Sequence, residues 1–269
     1  MSRPWGGGGV RRALAAIGFA VAVAAVVAGC LPAPATEQAR ATSTLWTQFV
    51  IAAAVVGAIV WGLITVALVR YRRRPGDVGK TPPQIADSRN LEIAWTALPI
   101  LTILGLFGLT LVALGQVDAR AASPRVTVDV TAFRWQWRFD YEGTAVSVAG
   151  GPDQPAEMVV PAGEPVHIVL TSVDVAHSFF VPAFLFKRDA IPGHPNEFDV
   201  TIDEGVYAGQ CAEFCGVFHD RMTLRVRAVP RVAFDQWLAG QAPASSGAPA
   251  SSGAPALTGA PAASASAAP

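Results

Sequence analysis

Residues 210–222 read Gln210-Cys211-Ala212-Glu213-Phe214-Cys215-Gly216-Val217-Phe218-His219-Asp220-Arg221-Met222, and Thr223-Leu224-Arg225-Val226-Arg227-Ala228-Val229 follows at once. The second stretch alternates side chains at period two, the mark of a strand with one face buried. The first has no such period and brings two thiols, an imidazole and a thioether within 12 residues. Soft sulfur ligands with imidazole and a weak Met suit copper. A mononuclear site of that kind needs one cysteine. Cys211 and Cys215, four apart in a loop, can turn both sulfurs to one point and bridge two metal ions. Each ion then needs an imidazole, and His177 stands 34 residues before Cys211 at a strand end. Two other chemistries use the same residue types, a disulfide in an oxidising compartment and a structural zinc. Zinc leaves Met222 and His177 without a task, and a disulfide ignores both histidines.

Working outward, Val126-Thr127-Val128-Asp129-Val130 and Glu197-Phe198-Asp199-Val200-Thr201-Ile202 alternate in the same way, as does Val166–Thr171 in part. Gly, Pro, Asp or Asn bound each run, and no long 3.6-period segment intervenes. Residues 124–240 are therefore expected to form an antiparallel sandwich or barrel. A short helix over Val232–Ala239 closes it, with Phe234, Trp237 and Leu238 on its apolar side. Phe133, Trp135, Trp137, Phe139 and Tyr141 fall on one face if they share a strand, which reads as a core stripe.

The first half is different. Of the 269 residues 52% are hydrophobic and 15% charged, against a globular norm of about 25% charged, and mean hydropathy is +0.39. Leu45–Val69 and Ile93–Gly115 are uncharged runs of 25 and 23 residues, each long enough to cross a membrane as a helix. The expected boundaries are an external segment 31–44, helices 45–69 and 93–116, and a loop 70–92 between them. That loop holds six basic residues (Arg70, Arg72, Arg73, Arg74, Lys80 and Arg89) and three acidic ones (Asp77, Asp87 and Glu92), so the positive-inside rule puts it in the cytoplasm and both flanks outside. Residues 1–30 agree with that orientation. Arg11 and Arg12 precede an apolar run that ends Val27-Ala28-Gly29-Cys30, an export signal whose last four residues resemble a lipobox; a plain signal or an uncleaved anchor fits the same run. Residues 241–269, nearly all Ala, Ser, Gly and Pro, read as a disordered tether.

The formal net charge is zero, which offers no basic field for nucleic acid. Residues 124–240 carry 15 acidic against 9 basic side chains, a net of −6. That field would draw a basic redox partner, with Glu142, Asp153, Glu157, Glu164 and Asp174 as candidates, though an ordinary solvated acidic face reads the same.

The runs His177-Ser178-Phe179-Phe180-Val181-Pro182, Lys187-Arg188-Asp189-Ala190-Ile191-Pro192-Gly193 and Gln210–Met222 together resemble subunit II of haem–copper cytochrome c oxidases over about residues 40–240. The resemblance implies a transmembrane helical hairpin followed by an all-β cupredoxin-like sandwich, as in a bacterial aa3-type oxidase. It implies a binuclear copper-A centre with Cys211 and Cys215 bridging, His177 and His219 each on one copper, Met222 as weak ligand and the Glu213 backbone carbonyl completing the set. Trp135 would be the residue where the electron from cytochrome c enters, with Trp137 and Tyr141 packing; the family usually has a further aromatic where Gln136 stands. Glu92, otherwise a helix N-terminal carboxylate favoured by the macrodipole, would open a proton-uptake path into subunit I. The Glu213 side chain would bind magnesium at the subunit I interface, which Lys187, Asp189 and Gly193 would also face. Subunits I and III are the implied partners, and oxygen chemistry and proton pumping would belong to subunit I.

His167 reads as structural and His194 as a turn residue outside the ligand set. No Cys-x-x-Cys-His occurs, so this chain carries no c-type haem and its donor is a separate or membrane-anchored cytochrome. A quinol-oxidase subunit II would lack the copper ligands. A thioredoxin-like copper chaperone would need alternating helices in 124–240, and a nitrous-oxide reductase would be longer and richer in histidine than the four present.

Overall fold

The computed structural model describes residues 31–241 apart from 73–75, 77–78, 80, 82–83, 85–86 and 152–153. The leader with Cys30, the tail beyond Gln241, and Asp153 lie outside the described residues. Two long helices come first, α1 (Glu37–Arg70) and α2 (Arg89–Val117). Both are long and apolar enough to cross a membrane, and they display Trp61, Leu68, Ile103 and Val112 outward rather than into a protein core.

Each helix outruns its uncharged stretch and contains the expected membrane-crossing part, 45–69 or 93–116, with extra turns at its ends. Charge marks the hydrocarbon limit, not the end of helical hydrogen bonding. Thr36 caps α1 by accepting from the Ala39 N–H at 2.9 Å, with Glu37 in the first turn. At 1.5 Å per residue the 34 residues of α1 span about 50 Å, some ~20 Å more than a bilayer core requires. The start of that surplus meets the second half of the chain, so part of the expected external segment 31–44 is helical and packs on the strands that follow.

Ten strands follow: β1 (Val126–Phe133), β2 (Gln136–Tyr141), β3 (Ser147–Ala149), β4 (Ala156–Pro161), β5 (Pro165–Ser172), β6 (His177–Val181), β7 (Phe186–Ala190), β8 (Asn196–Thr201), β9 (Gly205–Cys211) and β10 (Thr223–Val229); helix α3 (Arg231–Gln241) ends the described chain. They form two five-stranded sheets, ordered β3-β2-β1-β5-β8 and β4-β10-β9-β6-β7. The sandwich is mixed and not antiparallel throughout, because β1 pairs with β5 and β4 with β10 in parallel. Period-two patterning records which face a residue occupies but not the direction of the neighbouring strand.

The expected single-strand aromatic stripe is also corrected. The chain reverses at Arg134–Trp135, with Phe133 paired to Gln136 across the turn. Trp137, Phe139 and Tyr141 go into the core, while Trp135 is carried out on the turn. Tyr141 ties the sheets together, its hydroxyl donating to the Val159 carbonyl and accepting from the Val159 N–H, both at 2.8 Å. Helix α3 lays Phe234 and Trp237 against Tyr141, with ring centroids 6.3 and 5.2 Å away.

The start of α1 closes one sheet edge. Thr36 bridges Ile202, and Ala35 exchanges backbone bonds of 2.9 Å with Ala183 and Asp203. The Gln38 amide then donates to the Asp199 carbonyl at 3.3 Å and accepts from the Thr201 N–H at 3.4 Å. An unpaired strand edge is thereby covered, and the sandwich is fixed to the hairpin.

Candidate metal centre

His177 opens β6, Cys211 ends β9 and Met222 immediately precedes β10. Phe179 of β6 pairs with Cys211, and Gln210 of β9 pairs with Thr223 of β10. The loop between is closed at its base, since Cys211 N–H donates to Met222 O at 2.9 Å and Ala212 N–H to Ser178 O at 3.0 Å. Three adjacent strands thus deliver all the sulfur and imidazole groups to one end of one sheet.

The Cys211 sulfur stands 3.8 Å from His177 Nδ1, and the Cys215 sulfur 3.5 Å from His219 Nδ1. The donor atoms of His177, Cys211 and Cys215 all lie within 4.8 Å of one another. Met222 Sδ is 3.8 Å from Cys215. The Glu213 carbonyl turns inward and accepts from the Cys211 thiol at 3.2 Å. His177, Cys211, Cys215 and Met222 are buried, and both thiols are free. Donors ~2.0 and ~2.3 Å from a shared tetrahedral metal lie about 3.5 Å apart, so the spacing suits a metal held between each Cys–His pair. The buried thioether favours copper over zinc.

The electrostatics prepare the ligands. His177 Nε2 lies 2.9 Å from Asp174 Oδ1. Although burial raises it, the Asp174 carboxyl is drawn down to about 2 by the hydrogen bonds of His177, Arg134 N–H and Val175 N–H. Burial disfavours a charged His177, but Cys211 and Asp174 outweigh it and raise its pKa. Burial likewise opposes the Cys211 thiolate, and His177 with the backbone of Glu213 and Ser178 overcomes it, leaving this thiol below its ordinary range. Burial and the neighbouring Cys211 push the Cys215 thiol up.

Trp135 reaches this cluster from the β1–β2 turn. Its ring meets Phe218 edge-on, with centroids 5.0 Å apart. It also lies so near Gly216 that a Cβ there would fall 3.3 Å from the indole. Glu213 stays at the surface with its carboxylate 3.5 Å from Lys187 Nζ, and Asp189 Oδ1 lies 3.4 Å from the same nitrogen. Glu92 lies apart in the first turn of α2, its carboxylate accepting from the Ser88 N–H at 3.4 Å. His167 pairs with Asp199 at 2.6 Å, and His194 forms a turn with Ile191.

Asp174, which the sequence offers as a candidate of the acidic docking face, stands behind His177. Its signal was its place three residues before His177. Glu157 and Glu164 are also engaged, with Arg227 and Arg231 at 3.1 Å.

A two-sheet sandwich with Cys, His and Met groups gathered at one end, mounted on a membrane hairpin, defines a membrane-anchored protein with a cupredoxin-like sandwich and a candidate metal site. The chain belongs to the cytochrome c oxidase subunit II family. The family's transmembrane domain matches residues 24–111 and its periplasmic domain residues 153–229. A probable cytochrome c oxidase subunit 2 of Streptomyces avermitilis is 35% identical, with 77% of each chain covered. The cytochrome c oxidase subunit 2 of Corynebacterium glutamicum is 30% identical over 76% of this chain and 73% of its own. A crystal structure of the periplasmic domain of subunit II of the Bradyrhizobium japonicum oxidase aligns with 45% of this chain and 96% of its own, at 30% identity and a TM-score of 0.42. Subunit II is a component of the haem–copper oxidase, an oxidoreductase, and the family is a copper-A subunit. The chain is accordingly a membrane protein with a periplasmic domain and a partner within an oxidase complex.

Proposed function

We propose that this chain is the electron-receiving subunit of a bacterial aa3-type cytochrome c oxidase, taking one electron at a time from cytochrome c or a membrane-anchored c-type cytochrome and delivering it to haem a of subunit I. The convergence of two free buried thiols with His177, His219 and Met222 carries this reading. Two copper ions held by His177, Cys211, the Glu213 carbonyl, Cys215, His219 and Met222 would supply a one-electron relay in which a single unpaired electron is shared across both thiolates.

The protein's own groups supply rigidity. Backbone bonds from Cys211 and Ala212 hold the loop to β6 and β10, so the ligands need little movement when charge changes. Burial of the cluster excludes water. Trp135, between Gly216 and Phe218, supplies an aromatic path from the surface to the ligand loop. Oxygen reduction to water and proton pumping belong to subunit I, with subunit III as a further partner. The Glu92 carboxylate, on the cytoplasmic side, would lie at the mouth of a proton-uptake path. The Glu213 side chain would hold magnesium at the subunit I interface, and its pairing with Lys187 means that subunit I must provide most of the ion's ligands. The copper domain lies on the outer face of the plasma membrane, and Cys30 would be acylated after removal of the leader.

The test is copper stoichiometry and electron paramagnetic resonance on the full chain in detergent. Two coppers per chain sharing one delocalised electron support the proposal. One localised copper, or zinc alone, overturns it.

A further inference from the structure

Asp199 has the position of a functional residue without a place in the relay. It is buried, 4% exposed, on the far sheet from the metal ligands. Its partners are chosen from outside its own strand. One oxygen accepts from the Ala121 N–H at 2.5 Å, and the other lies 2.6 Å from His167 Nδ1. Arg120 stands 3.7 Å away and donates in addition to the Glu197 carbonyl at 2.7 Å. Ala121 and Arg120 belong to the connector that leaves α2, so this carboxylate ties the second membrane helix to β8. The first helix grips the same residue, through Gln38 on the Asp199 carbonyl.

The inner side of β8 leads to the ligands. Phe198 packs on Phe179 and Phe186, with ring centroids 6.4 and 5.7 Å apart. Phe179 is two residues from His177 and is the cross-strand partner of Cys211. One strand therefore joins the hairpin outside to the metal-bearing strands inside. A second tie, Asp118 to Arg188 on β7, pins the same connector to the other sheet.

We propose that Asp199 is a positioning residue for electron transfer: together with Arg120 it fixes the orientation of the copper-bearing sandwich on the membrane hairpin, and hence of the ligand loop toward the haem-bearing subunit. This inference rests on the proposed relay function. A carboxylate serving only the sandwich's stability would have no need of partners in the connector. Losing it leaves the Ala121 N–H and the His167 ring without this acceptor and takes one of its partners from Arg120, which the connector can relieve only by moving.

The experiment uses the assembled oxidase in oriented membrane layers, as wild type, Asp199→Ala, Asp199→Asn and Arg120→Gln. Two readouts are taken: the orientation dependence of the copper resonance signal, and the rate at which an electron placed on the copper centre by a light flash reaches haem. In Asp199→Ala the signal keeps its shape, its orientation spreads, and the transfer rate falls by up to about 100-fold, the scale of a ~1 Å misplacement of a reacting pair. Asp199→Asn, which retains an acceptor for Ala121, falls less, and Arg120→Gln moves in the same direction. Electron uptake from the donor stays at its wild-type rate. Unchanged orientation and transfer rate in both Asp199→Ala and Arg120→Gln overturn the proposal; should Asp199→Ala not assemble, Arg120→Gln decides alone. A wild-type enzyme without the shared-electron signal overturns the relay reading, and the positioning role falls with it.

Discussion

His177 presents its two ring nitrogens to different partners: Nε2 lies 2.9 Å from Asp174 Oδ1, and Nδ1 faces the Cys211 sulfur at 3.8 Å. The low Asp174 pKa keeps the carboxylate ionised, so in the neutral imidazole Nε2 carries the proton and the Nδ1 lone pair is left for a metal. A carboxylate behind a ligating imidazole fixes its tautomer and raises its basicity. Asp174 also accepts from the Arg134 N–H at 2.7 Å, which joins the turn that carries Trp135 to the ligand set.

Asp174→Asn should therefore weaken copper binding about 10–100-fold, in keeping with loss of such an outer partner, while the sandwich stays folded. Competition with a chelator of known affinity measures it. An affinity equal to that of the wild type would return Asp174 to the role of an ordinary surface acid.

The same pair predicts a pH profile. Asp174 is depressed to about 2 in the folded chain against about 3.9 unfolded, so its contribution is present above pH ~4 and lost as pH falls toward 2. His177 is raised above its ordinary value, so its contribution is full below about 6.5 and lost as pH rises through the folded value. In the metal-free chain the stability difference between wild type and Asp174→Asn should peak between pH ~4 and ~6.5. Thermal unfolding across that range tests it. Copper affinity should run the other way at its upper limit, rising with pH, because the metal displaces protons from His177 and both thiols.

The residues that define the loop's chemistry were legible in the chain, and those that aim it were not. Cys211, Cys215, His219 and Met222 are near neighbours in sequence, and the alternation of Thr223–Val229 shows where their strand begins. The two membrane runs are equally plain, since length and lack of charge suffice. By contrast, the parallel pairings of β1 with β5 and β4 with β10 depend on chain crossings that alternation does not encode. The odd-numbered aromatics from Phe133 to Tyr141 satisfy period two through a turn, because a tight reversal need not break the apolar rhythm. Asp174, Glu157 and Glu164 read as candidates of an acidic docking face with no sign of their ion pairs, because their cations approach from strands, turns or helices up to 70 residues away.

Trp135 and Gly216 form a second pair whose contact can be broken from either side. Trp135→Ala should leave the copper signal intact and slow electron uptake from the donor. Gly216 sits at φ 123° with the indole against it, where any side chain is strained by about 1–3 kcal/mol. Gly216→Ala should lower the thermal midpoint and displace Trp135, altering its fluorescence while copper still binds. Stopped-flow reduction of the two variants compares them directly. Uptake at the wild-type rate in Trp135→Ala would move the point of electron arrival elsewhere on the surface.

Lys187 bears on the magnesium proposed at Glu213. Its ammonium stands between Asp189 and Glu213, at 3.4 and 3.5 Å, the position a divalent cation would take if Glu213 were to bind one. Both carboxylates raise the Lys187 pKa, Asp189 more strongly, so the lysine stays charged and competes with any ion through the physiological range. Lys187→Met removes that competitor but keeps the length of the stem. In the assembled oxidase the variant should bind manganese, used as a paramagnetic stand-in for magnesium, more tightly than the wild type, because Glu213 is then free to turn toward the ion. Weaker manganese binding would show the opposite arrangement, in which Lys187 orders Glu213 for the metal and its loss lets the carboxylate swing away.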